Sequence, residues 1–102
     1  HCHALPEALL PGMVTAQRLR DAVLAHVALV ALAETGGPVA VIAGSGHARN
    51  DIGAPAFLRR ASPAPSVLSV GQLEASPEAP VPFDIWITTA PVPRPDPCDG
   101  LR

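Results

Sequence analysis

The 102-residue sequence has no tyrosine and no lysine. Its aromatic residues are Phe57, Phe83 and Trp86, and its seven basic residues are all arginines. With a net charge of −2 and no arginine–aromatic interleaving, it lacks the electrostatic footprint of a nucleic-acid binder, which excludes nucleic acid as a partner. The two cysteines, Cys2 and Cys98, are too few for a disulfide scaffold and enough for one bridge. The longest nearly apolar stretch, Ala22 to Ala33, falls short of the ~20 residues that span a bilayer, and it contains His26. Neither an internal repeat nor a coiled-coil pattern is present. The chain starts at His1 rather than at methionine, so a missing signal peptide says nothing about secretion.

What is there is a globular composition: 48% hydrophobic residues against 16% charged. The length allows one domain, or part of one, with a modest core. Residues 1–12 read as a loop with one helical turn around Glu7 to Leu10. Alanine and leucine then dominate a long helix from about Val14 to Glu34. Gly36 and Gly37 end it, and Pro38 blocks its continuation. Val39–Ala43 is a five-residue apolar run, read as a buried strand. A short helix over Ala54–Arg60, with Pro55 in its first turn, follows a loop at Asn50–Gly53. Ser66–Val70 reads as a second strand and Phe83–Thr88 as a third. The proline-rich stretch Ala75–Pro82 connects them, and an extended tail starts at Pro91. This order predicts an α/β fold: a small, mostly parallel sheet of about three strands packed on a long helix. So thin a sheet leaves exposed edges, as part of a larger three-layer α/β domain would. Residues 1–90 form the folded part and 91–102 the tail.

The chemistry gathers after the first strand. Gly44-Ser45-Gly46-His47 follows the apolar run at once. Gly44 and Gly46 permit a tight turn and close backbone approach. In open α/β sheets, ligands bind beyond the carboxyl ends of strands, and His47 stands there. Its imidazole suits metal, haem or proton transfer; the plainer reading is a surface histidine in a glycine-rich turn. On the long helix Gln17, Arg20 and Asp21 share one face by their i, i+3, i+4 spacing. They either form a surface salt-bridge group or point at a cavity shared with His47. Leu19, Val23, Val27 and Val30 form an apolar stripe, and a helix apolar on most of its surface is expected to be largely buried. His26, alone on that helix, reads as a packing residue. His1-Cys2-His3 is dense in ligand types without the spacing of a strong metal signature.

His1-Cys2-His3-Ala4-Leu5-Pro6 and Met13 to Asp21 resemble segments of the ChaN-like haem-binding uptake proteins. Gly44-Ser45-Gly46-His47-Ala48-Arg49 with Gly53-Ala54-Pro55 is similar to that family's Gly-Asn-Gly-His segment and the Gly-Val-Pro after it. Arg94-Pro95-Asp96-Pro97-Cys98 is similar to its tail. The resemblance covers the carboxyl half of the family domain, without the amino half and its Gly-Glu-x-His motif. The family belongs with the Tiki, TraB and erythromycin-esterase-like proteins, which share an α/β core. The resemblance implies haem binding or iron uptake by a periplasmic or outer-membrane-associated bacterial protein, a lipoprotein whose lipid anchor lies outside this chain. The residues it carries over are His1, Gln17, Arg20, Asp21, Gly44 and His47. Ser45 stands where asparagine is usual and His3 where glycine is common, and no tyrosine is present as a haem ligand. An alternative within the superfamily is a metal-dependent hydrolase. There His47, with His1 as a weaker candidate, would hold a divalent metal, Arg20 would stabilise an oxyanion, and Asp21 would orient Arg20 or a histidine. On either reading a partner completes the site, whether the amino-terminal half or another chain, including a homodimer. Cys2 and Cys98 both lie in segments that resemble family motifs and are expected to approach within bonding range.

Overall fold

A computed structural model describes residues 6–101 of the chain. His1, Cys2 and His3 lie outside the described residues, and with them the expectations placed on that segment. A 3-10 turn at Glu7–Leu9 leads into helix α1, Leu10–Thr35. The helix therefore begins four residues before the expected Val14. Pro11 lies in its first turn, where a backbone N–H has no intrahelical partner to lose. Thr15 Oγ1 donates to the Pro11 carbonyl at 2.9 Å, so the first turn is tied to the second. At the other end Gly36 takes φ 76°, and its N–H donates to Leu32 O at 2.9 Å. That left-handed cap is open to glycine without strain, so the helix stops there as expected.

Helix α2, Ala54–Ala61, has Pro55 in its first turn, and its last turn carries Arg59 and Arg60. It packs on α1, and Ala25, Ala54 and Ala56 are buried. Alanine at the contact lets two helix backbones come close. Strands β1 (Val70–Leu73) and β2 (Ile85–Thr88) pair in parallel, with Val70 opposite Ile85 and Leu73 opposite Thr88. Gly71 is buried because the ring of Phe83 occupies the space a side chain there would need.

Among the described residues the sheet has two strands, not three. Val39–Ala43 makes no ladder, and Ile42 is 99% exposed. Hydrophobicity marks a segment for burial, but a strand also needs a neighbour to share its hydrogen bonds, and no described residue pairs with this run. The strand expected at Ser66–Val70 starts only at Val70. Upstream of it, the polar groups of Val67 and Ser69 are taken by Arg59 and Asp84 instead of a ladder. The expectation that α1 is largely buried is also corrected. Leu19, Val23, Val27 and Val30 are all exposed, and Asp21 and Ala25 are its buried residues. The Cα radius of gyration is 16.0 Å, against about 13 Å for a compact chain of this length. The accessible surface is 7682 Å², against roughly 5,400 Å² expected at this mass.

Candidate functional site

The turn that carries His47 is built almost entirely from backbone hydrogen bonds. The His47 N–H donates to Gly44 O at 2.9 Å, and the Ala48 N–H to Ser45 O at 3.2 Å. The His47 carbonyl then accepts the Ala54 N–H at 2.8 Å, which seats the turn on the start of α2. Gly53 is required beside it: a Cβ there would run into the His47 carbonyl oxygen and, at 2.8 Å, that of Arg49. Ser69 Oγ donates to the Ala48 carbonyl, tying the turn to the entry of β1. Glycine at 53 and the small side chains of 48 and 54 make this closeness possible, whereas a side chain at 44 would meet no close neighbour.

The side chain of His47 is directed at α1. Its Nδ1 lies 2.7 Å from Oδ1 of Asp21, whose side chain is 7% exposed. A carboxylate in this position accepts from Nδ1–H, and with the ring neutral that tautomer leaves the lone pair on Nε2. Asp21 is the helix residue that reaches His47. Gln17 and Arg20, expected on the same cavity-facing side, bond one another at 3.4 Å on an exposed part of α1.

His47 borders a cavity of about 530 Å³ between α1, α2, the Val39–Ala43 segment and the entry to β1. Leu24, Leu29 and Leu32 of α1, Leu58 of α2 and Val39 and Val41 supply its apolar walls. This volume is within the range of small-molecule sites, which combine apolar walls with a few polar groups. Among the described residues no group of three or more His, Cys, Asp and Glu side chains converges to hold a metal ion. A divalent metal at His47 would need ligands from elsewhere. Haem asks less of the protein: one axial nitrogen and an apolar slot. The lone pair on His47 Nε2 and the leucine–valine walls fit that requirement.

A second polar cluster, which the sequence reading missed, stands behind the turn. Asn50 Nδ2 donates to Asp84 Oδ1 at 3.0 Å, and Arg59 donates to Asn50 Oδ1 at 2.7 Å. Arg59 also bonds the Val67 carbonyl at 3.0 Å and Asp84 Oδ2 at 3.2 Å. Asp84 accepts the Ser69 N–H at 2.6 Å, and this bond is the main reason its carboxyl titrates below the usual range. Asn50 and Arg59 lower it further. The Asn50 N–H donates to Pro82 O at 2.7 Å, so the cluster joins the turn, α2 and both strand entries. Its members lie up to 34 residues apart, and no local spacing announces them. Beside it Arg49 pairs with Asp51, holding that carboxyl below its ordinary value.

Cys98 is disulfide-bonded. Cys2, the sequence's other cysteine, lies outside the described residues.

Residues 1–58 match a family described as haem-binding uptake, Tiki superfamily, ChaN. The match takes in Gln17, Asp21, the His47 turn and the start of α2, and it ends before the sheet and the Arg94–Cys98 tail. No curated protein and no solved structure matches the chain. The matched span exceeds half of the sequence and holds the Asp21–His47 pair: the chain belongs to the ChaN haem-binding uptake family, as a partial domain.

Proposed function

We propose that the chain supplies the histidine wall of a haem site in a bacterial haem- or iron-uptake protein. The carrying observation is the 2.7 Å contact between Asp21 and His47 Nδ1. A carboxylate behind an imidazole fixes the ring's orientation and tautomer and raises the basicity of the other nitrogen. His47 Nε2 is the nitrogen that would hold the haem iron. The leucines of α1 and α2 give the macrocycle an apolar surface and exclude water from it. When bound, haem supplies the iron coordination and redox chemistry; this chain contributes binding and orientation. The rest of the site comes from the remainder of the domain or from another chain. An envelope location belongs to the same reading, because haem uptake begins outside the cytoplasm.

Haem titration of the full-length protein, followed by the Soret band, tests the proposal. His47→Ala should abolish the histidine-ligated spectrum, and Asp21→Asn should weaken haem binding while leaving the protein folded. An unchanged spectrum and affinity in His47→Ala removes His47 from the site.

A further inference from the structure

The hydrogen bonds inside the His47 turn fix its shape, but not how far it reaches toward α1. The bonds to Gly44 O and Ser45 O close the turn on itself, and the bond from the Ala54 N–H seats it on α2. Two further points of attachment lie just beyond the histidine, and both come from the strand entries. Ser69 Oγ donates to the Ala48 carbonyl. Asp84 Oδ1 accepts from the side-chain amide of Asn50 at 3.0 Å, and Pro82 O accepts the Asn50 N–H at 2.7 Å. The chain is thus gripped on either side of Arg49, at Ala48 and at Asn50.

Ser69 and Asp84 act as one piece. The Ser69 N–H donates to Asp84 Oδ2 at 2.6 Å, and the Asp84 N–H donates back to Ser69 O at 3.1 Å. Arg59 braces the same carboxylate from α2 at 3.2 Å and donates to Asn50 Oδ1 at 2.7 Å. Across the site, His47 meets α1 through one contact, 2.7 Å from Nδ1 to Asp21 Oδ1. Such a bond is lost when its partners move apart by less than about 1 Å, so the grip on residues 48 and 50 decides whether it forms. Neither Asn50 nor Asp84 is among the residues that line the cavity. Ser69 and Asp84 also lie beyond residue 58, where the family match ends.

We infer that Asn50 and Asp84 are positioning residues for His47, holding its turn at the reach where the imidazole meets Asp21. Their effect on ligand binding rests on the haem reading of His47; their effect on the ring does not. The segment after α2 thereby acquires a part in the site without touching its ligand.

Two readouts on the full-length protein test this, with circular dichroism to show that each variant is folded. The first is nitrogen-15 NMR of the His47 ring without haemin. The wild type should show the Nδ1–H tautomer, and Asn50→Ala and Asp84→Ala should each show a mixture of the two. The second is haemin titration, in which each variant should bind about tenfold more weakly than wild type. In a His47→Ala background neither substitution should weaken binding further. Arg49→Ala, which breaks only the exposed pair with Asp51, should change neither readout. Asn50→Ala alone decides if Asp84→Ala does not fold. An unchanged ring tautomer in Asn50→Ala would overturn the inference. So would an equal further loss in the His47→Ala background, or an equal effect of Arg49→Ala. A wild type that binds no haemin would overturn the haem reading, and the ring tautomer would still decide the positioning role.

Discussion

The corner where α1, the His47 turn and α2 meet differs sharply from the sheet beside it. At the corner Asp21, Ala25 and Ala54 are 5%, 3% and 7% exposed, and every polar group named there has a partner. In the sheet, Ile85, Trp86 and Ile87 are each about half exposed on both faces, and Ile42 stands wholly in solvent. The corner is made of small residues and backbone hydrogen bonds, so this chain's own atoms close it. The sheet region is made of large apolar side chains whose partners are not among the described residues. Order here follows the sufficiency of local partners rather than hydrophobicity.

The strongest way to break that contrast is at its polar centre. His47→Ala should lower haem affinity of the full-length protein by at least about 100-fold, and Asp21→Asn by about 10–100-fold, as losses of a ligand and of its buttress. His47→Ala should also cost about 1–3 kcal/mol of stability, because it strands a buried carboxylate without its partner. A turn histidine on the surface would cost almost nothing, so urea midpoints distinguish the two.

Gly53→Ala should come next. Its new methyl would meet the His47 and Arg49 carbonyls, which belong to backbone and cannot swing aside. Overpacking of this kind costs about 1–3 kcal/mol and should appear in thermal unfolding. Asp84 gives a pH-dependent effect. Its carboxyl titrates below the ordinary value, so the unfolded chain binds more protons than the folded one in acid. Its stabilising contribution is complete above the unfolded value near about pH 4 and is lost as pH falls through the lowered folded value. Acid unfolding followed by tryptophan fluorescence should show that limb, and Asp84→Asn should remove it. The smallest effect belongs to the sheet side: Ile42→Ser should change stability by no more than about 0.5 kcal/mol, since Ile42 touches nothing that it would lose. A large loss at Ile42, or none at Gly53, would dissolve the comparison.

Much of the corner was legible in the sequence. Pro55 marked the first turn of α2, and the Gly36–Gly37 pair marked the end of α1, because both act through local backbone geometry. Gly44-Ser45-Gly46-His47 marked the turn for the same reason. The i, i+4 arithmetic put Asp21 near Arg20 and Gln17, but a helix face is broad, and spacing could not say which of the three would meet the histidine. Val39–Ala43 misled because apolarity reports a wish for burial, not the presence of a neighbour. The Asn50–Arg59–Asp84 cluster was invisible, since its residues come from three separate segments.

The sequence by itself determined the two helices, the C-terminal cap of α1, the turn and the residue type at its tip, since each follows from propensities within a few positions. It also determined the family, through the match over residues 1–58. Only the tertiary structure decided that Asp21 stands behind His47. It decided too that Asp84 anchors the strand entries, and that a five-residue apolar run stays out of the sheet. Those outcomes depend on which groups lie within about 3 Å once the chain has turned back on itself, and hydrogen bonds of that reach leave no mark in linear order.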